Sequence, residues 1–123
     1  MARPSSTVNI NQKLAQISDH WSPKVIAEMN SLQFKVVKFQ GDFVWHSHSD
    51  TDETFLVIKG QMVVEFRDRS VTISEGELFV VPQGEEHITR AEEECHALII
   101  EPAGVVNTGE AGGSLTAPVD EWI

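Results

Sequence analysis

The chain has a single cysteine, Cys95, so no intrachain disulfide can staple the fold. Long hydrophobic runs are also missing. Stretches such as Leu78–Val81 and Ala97–Ile100 reach only four or five residues, whereas a bilayer span takes about 20. The first ten residues carry no apolar core of a secretory signal. A reducing, cytoplasmic setting is therefore expected. Basic residues are scarce, 9 against 19 acidic ones, for a formal net charge of −10. Such a surface repels phosphate backbones and anionic lipid, which argues against nucleic-acid and membrane-surface partners. No stretch of residues 25–103 has the periodicity of a long amphipathic helix, which argues against a parallel sheet with helical crossovers. There is no internal repeat and no low-complexity tract. What remains is 123 residues, 41% of them hydrophobic. That is enough for one domain with a real core, and too ordered in composition for a disordered chain.

Residues 1–24 read as an N-terminal arm. Within it Ile10, Leu14 and Ile17 recur at helical spacing, Asn9 can cap the first turn, and Ser22-Pro23 ends the helix. This stripe reads as a short helix packed on its own domain in preference to one that binds a partner. Residues 25–103 are a succession of short β-rich runs with turn chemistry between them. The expected strands are Phe34–Phe39, Thr54–Ile58, Gln61–Phe66, Val71–Ile73, Leu78–Val81, Ile88–Arg90 and His96–Ile100. Glu92–Glu94 reads as a solvated turn before the last of them. Strands this short and closely spaced point to an all-β antiparallel sandwich or barrel. Residues 104–123 are Gly- and Ala-rich and read as an irregular tail, with Trp122 docking its end on the barrel or on a second subunit. Phe34, Phe43, Trp45, Phe55 and Phe66 are expected mostly in the core.

The chemistry gathers around histidine. His46 and His48 are two apart, and strand residues i and i+2 face the same side. Glu53 follows after Ser49-Asp50-Thr51-Asp52, turn chemistry that can bend the chain and return the carboxylate to the same place. His87 comes from a distant segment, after Val81-Pro82-Gln83-Gly84. Three imidazoles and one carboxylate make a suitable set for a divalent transition metal. A His-x-His pair alone is more often an ordinary surface or core feature. The glycines and proline around all four residues strengthen the reading: Gly60 and Gly76 fall where tight hairpins need permissive backbone, and Pro82 suits a strand end.

The spacing Gly41-(x)4-His46-x-His48-(x)4-Glu53-(x)6-Gly60 resembles the first motif of the cupin superfamily, one residue short in its glycine-to-histidine interval. Gly76-(x)5-Pro82-x-Gly84-(x)2-His87 resembles the second, with Ala91 where an asparagine is customary. The chain is most similar to small single-domain cupins of the mannose-6-phosphate-isomerase-like type. The resemblance covers residues 25–103. It implies a double-stranded β-helix, or jelly-roll barrel, with one divalent metal ion (iron, manganese, nickel, zinc or copper) near one mouth. It further implies His46, His48, Glu53 and His87 as metal ligands and a homodimer. The loss at Ala91 puts one supporting contact in doubt.

Other polar residues leave alternatives open. Asp50 and Asp52 read as solvated turn residues in preference to partners of the histidines. His96 lines the pocket, as a catalytic candidate, if Leu98 and Ile100 face inward; it is a surface or interface histidine if they face outward. His20 reads as structural, and Cys95 as a packing residue. Two functions fit. One is a metal-dependent enzyme (dioxygenase, isomerase or lyase) acting on a small organic molecule. The other is a non-catalytic module in which the metal anchors a ligand or stabilises the barrel. Metal-free sugar-nucleotide chemistry is the weakest option, because it has no need of three histidines converging on a carboxylate.

Overall fold

A computed structural model of the chain describes residues 6–123. The first five residues of the arm lie outside the described set. One short helix, α1 (Ile10–Ala15), precedes seven strands: β1 (Lys24–Met29), β2 (Leu32–Asp42), β3 (Glu53–Lys59), β4 (Gln61–Phe66), β5 (Ser70–Ser74), β6 (Leu78–Val81) and β7 (His87–Pro102). Asn9 caps α1 as expected, its side chain accepting a hydrogen bond from the Gln12 N–H at 2.9 Å. Leu14 and Ile17 are buried against Ile26, Val36 and Leu98. The apolar stripe of the arm is thus spent on the domain itself.

All strand pairings are antiparallel, in the order β1-β2-β7-β3-β6, with β4 joining β7 on one side and β5 on the other. Apolar residues alternate inward along the strands. Val37 and Phe39 of β2, Phe55 and Val57 of β3, Met62, Val64 and Phe66 of β4, and Ala97 and Ile99 of β7 fill one cluster. The result is the all-β jelly roll anticipated from the sequence, with its details corrected in three places.

The first correction concerns β7. Ile88–Arg90 and His96–Ile100 are parts of one strand of 16 residues. Its start pairs with β4, and its end lies between β2 and β3. Glu92–Glu94 are exposed, as a turn would be, but they form a bulge within that strand. Phe39 pairs with Cys95 and Gly41 with Ala91, so one residue of β2 opposes three of β7. Gly41 accommodates the irregularity with φ +81°, a left-handed conformation that side chains resist.

Second, Gly60 and Gly76 do not close hairpins. β3 pairs with β6 and β7, while β4 pairs with β5 and β7. Both glycines are corners at which the chain leaves one half of the barrel for the other. Third, β1 is an edge strand that the sequence reading left unassigned. The tail completes that edge: Val25 forms a parallel bridge with Trp122, and the Ile123 N–H donates to the Val25 carbonyl at 3.2 Å. Trp122 is half-buried there, docked on its own barrel.

Candidate metal centre

His46 and His87 come together through backbone pairing. They form an isolated antiparallel bridge, each N–H donating to the other's carbonyl at 2.9 Å. Their rings end 4.4 Å apart between centroids, and the His48 ring lies 5.0 Å from that of His46. Glu53, the first residue of β3, points to the same place. One ligand atom each from His46, Glu53 and His87 lie within 4.8 Å of one another. His48 stands beside this set, its Nε2 3.6 Å from Glu53 Oε1. All four side chains are buried. The turn chemistry before Glu53 does what the sequence required of it. Asp52 accepts the Gln83 N–H at 2.8 Å, and the His48 carbonyl accepts the Gly84 N–H at 2.8 Å. These bonds tie the loop before β3 to the turn before His87. Asp52 is therefore a tie between loops, and among the described residues no hydrogen bond joins Asp50 or Asp52 to a histidine.

The protonation of the site suits a cation. The Nδ1–H of His46 is within 2.8 Å of the Val44 carbonyl, and that of His87 within 2.9 Å of the Glu85 carbonyl. Nδ1 is thus the protonated nitrogen in both rings, leaving the Nε2 lone pairs facing the site. Burial, with the neighbouring His87 imidazole, holds the His46 pKa down to about 3. Burial also lowers His48 and His87. The three rings are neutral near pH 7, the form that binds metal. Glu53 is displaced the opposite way, well above the ordinary carboxylate range, by burial and by the adjacent Glu101. Among the described residues, His48 Nε2, His87 Nε2 and Glu53 Oε1 are buried without a hydrogen-bond partner. Buried polar atoms normally have partners, and three orphans converging in one place have the donor chemistry of a transition-metal site. The residues present fit such an ion.

The surrounding cavity is small, about 30 Å³, and mostly apolar. Trp21 stacks on Phe39 and Phe43 at 4.8 Å and walls one side. Asn107 of the tail closes another, fixed by donating to the Trp21 and Leu115 carbonyls and accepting the Ala117 N–H. A separate surface groove of about 310 Å³ runs between residues 47–51 and 102–110, with His48 in its wall. The tail lies close along this loop. A Cβ on Gly109 would sit 2.1 Å from the Ser47 carbonyl oxygen and 3.5 Å from His48 Nδ1. Gly109→Ala is therefore expected to push the tail off the His48 loop and lower the melting temperature by about 5–10 °C. An unchanged melting curve would contradict that contact.

Leu98 and Ile100 pack on the outer cluster, so His96 also faces outward and does not line the cavity. Its Nε2 lies 3.0 Å from Glu94 Oε1, while His20 Nε2 contacts the other oxygen at 2.8 Å. Those two histidines pull the Glu94 carboxyl down to about 2. His20 thereby fastens the arm to the barrel, in keeping with a structural role. Cys95 is fully buried, and desolvation drives its thiol up to about 12, as an inert packing residue requires. Phe55 and Phe66 are core residues, but Trp45 is only half-buried and lies under the Arg67 guanidinium at 3.6 Å.

Two polar residues of the barrel interior escaped the sequence reading. Lys35 and Glu101 are each 3% exposed, and Lys35 Nζ meets Glu101 Oε1 at 2.8 Å. The available signal was their phase: Lys35 lies two residues before Val37, and Glu101 two after Ile99. It was unreadable because Phe34, Val36, Leu98 and Ile100 make the opposite faces equally apolar.

A small antiparallel jelly-roll barrel with imidazoles and a carboxylate gathered in a buried cavity defines a cupin-type protein. The sequence pattern of the cupin domain matches residues 35–101, and the chain belongs to the cupin family. A cupin-2 domain containing protein from Shewanella frigidimarina is 53% identical, with a TM-score of 0.76 over 77% of this chain and 93% of that one. Protein NMB1881 from Neisseria meningitidis is 40% identical, with a TM-score of 0.71 over 80% of this chain and all (100%) of that one. The uncharacterised protein YdbB of Bacillus subtilis is 31% identical over 67 residues, 54% of this chain and 59% of that protein. Among the described residues no helix is long and apolar enough to cross a membrane.

Proposed function

We propose that the protein binds one divalent transition-metal ion per chain through His46, His48, Glu53 and His87, and that the ion holds a small organic molecule of the enol or diol class. The observation that carries this reading is the convergence of the unpartnered, buried His48 Nε2, His87 Nε2 and Glu53 Oε1 beside the His46 and His87 rings, whose Nδ1 atoms are already engaged. When bound, such an ion supplies Lewis-acid polarisation or, for iron or copper, redox chemistry. The chain's own residues do the rest. The carbonyls of Val44 and Glu85 orient His46 and His87, while Trp21, Phe39 and Phe43 exclude water. The groove beside His48 has the volume of a small-ligand pocket and would admit the molecule. Incubating metal-loaded protein with diketones, catechols and sugar phosphates is expected to give turnover or saturable binding that disappears on chelation. Neither on any of these compounds would contradict the reading.

The 30 Å³ cavity favours a second reading, in which the metal stabilises the barrel and any ligand it anchors without reaction approaches from the groove beside His48. That volume holds about one water and no organic molecule. A chelator that lowers the melting temperature and abolishes ligand binding, with no chemistry seen on any compound, would select it. The lone, inert Cys95 suits a cytoplasmic setting.

We also propose a homodimer. Edge strand β6 leaves Leu78 63% and Val80 44% exposed, an apolar edge that soluble proteins usually cover. Sedimentation is expected to give twice the 13.7 kDa chain mass, and Leu78→Lys with Val80→Lys is expected to halve it. A 13.7 kDa particle from the unaltered chain at micromolar concentration would contradict the dimer.

A further inference from the structure

Trp21 belongs to the N-terminal arm, yet its indole packs into the barrel core and is only 9% exposed. Its backbone is left-handed, with φ +62°, a conformation that costs a bulky residue energy and persists only where its surroundings impose it. Three hydrogen bonds do so. The Trp21 N–H donates to the Lys38 carbonyl at 3.0 Å, and the indole Nε1–H donates to the Gln40 carbonyl at 3.2 Å. Asn107 of the tail donates to the Trp21 carbonyl at 2.9 Å. The ring stacks on Phe39 and Phe43 at interplanar angles of 11° and 21°. Phe43 in turn meets the His46 ring edge-on, 5.3 Å between centroids. Sheet and tail thus both fasten the indole, which makes it a fixed wall rather than a swinging lid.

Trp21, His46 and Glu53 line the same cavity, whose volume of about 30 Å³ admits about one water. An apolar cavity of about 150 Å³ takes up benzene, and an indole is larger than benzene. The Trp21 ring therefore fills a space in which an aromatic substituent would fit. We propose that Trp21 determines ligand specificity at the candidate metal centre. It limits the molecules held there to those whose substituent on the cavity side is about the size of a methyl group. The inference rests on the metal-site reading above and names the size class of the small molecule proposed there. In a hydrophobic pocket one methylene too many changes specificity by about 10–200-fold, so a whole ring is discriminated at least as strongly.

The test compares the unaltered chain, Trp21→Gly and Trp21→Phe, each loaded with Co²⁺. Glycine adopts the left-handed backbone freely, and phenylalanine keeps an aromatic stack should the larger truncation fail to fold. Acetohydroxamate and benzohydroxamate are titrated into each, with the visible absorption of the bound ion as the readout. The two chelators share one pair of oxygens and differ only in carrying a methyl or a phenyl group. The unaltered chain is expected to prefer acetohydroxamate by at least about tenfold. Trp21→Gly is expected to bind benzohydroxamate at least about tenfold more tightly than the unaltered chain does, with acetohydroxamate unchanged. Trp21→Phe should fall between them. Excess indole refills the space in Trp21→Gly and is expected to cancel the gain, which a general loosening of the fold would not allow. Equal binding of the two chelators by the unaltered chain would overturn the proposal, because the ligand would then lie wholly in the groove beside His48. So would a preference that neither variant alters. If the unaltered chain takes up no Co²⁺, the metal-site reading fails instead, and the size limit fails with it.

Discussion

Lys35→Met alone is expected to destabilise the protein by about 3–5 kcal/mol, because it leaves Glu101 buried without its cation. Both side chains are nearly inaccessible, at 4% and 3%, and Lys35 Nζ is the hydrogen-bonding cation of Glu101. A single domain is stable by only about 5–15 kcal/mol, so urea unfolding of this variant should begin far earlier. Lys35→Met/Glu101→Leu removes both charges and is expected to restore stability to within about 1 kcal/mol of the original. Non-additivity of this size is the signature of one coupled unit. A loss below about 1 kcal/mol in the single variant would show that water reaches Glu101.

The second large effect is metal-linked stability. A divalent ion at a hundred times its dissociation constant is expected to add about 2.7 kcal/mol to the metal-free chain. His46→Ala with His87→Ala is expected to abolish the gain. The pH dependence follows from opposite displacements. His46 has a folded pKa of about 3 against an ordinary 6.5. Between those values the unfolded chain holds a proton that the folded chain lacks. Metal-free stability therefore falls as pH drops through this window, by up to about 1.4 kcal/mol per pH unit from His46 alone. Glu53 is raised instead, so it keeps a proton that the unfolded chain loses above the ordinary carboxylate pKa. Its contribution is full below that value and fades as pH rises toward the folded one. Metal must displace that proton, and uptake below the folded Glu53 pKa is expected to release it. Calorimetry in buffers of different ionisation enthalpy measures that release. Uptake with no proton released at any pH would contradict the buried, protonated Glu53.

Much of this candidate site was legible in the sequence because the residues proposed as its ligands sit in motifs whose spacing reflects backbone geometry. The interval between Asp52 and Gln83 could not be read as a contact, yet the turn residues around each announced a bend. The fold class was legible for the same reason: short β-rich runs and glycine punctuation are local signals. Pairing is not local. Nothing near Gly60 reveals that β3 and β4 belong to different halves of the barrel. Nor does the run Glu92–Glu94 announce that it is a bulge, because that follows only from the lengths of β2 and β7 between Phe39↔Cys95 and Gly41↔Ala91. Facing direction fails where both faces are apolar. That hid the Lys35–Glu101 pair and left His96 undecided until its strand was seen to turn Leu98 outward toward α1.

The central claim is that His46, His48, Glu53 and His87 hold a metal ion. Elemental analysis of protein purified without an affinity tag tests it most directly, comparing the natural chain with His46→Ala/His87→Ala. The account predicts close to one iron, manganese, nickel, copper or zinc per chain in the first and none in the second. Equal, negligible metal in both would contradict it, leaving the cupin barrel with a cavity that serves some other ligand.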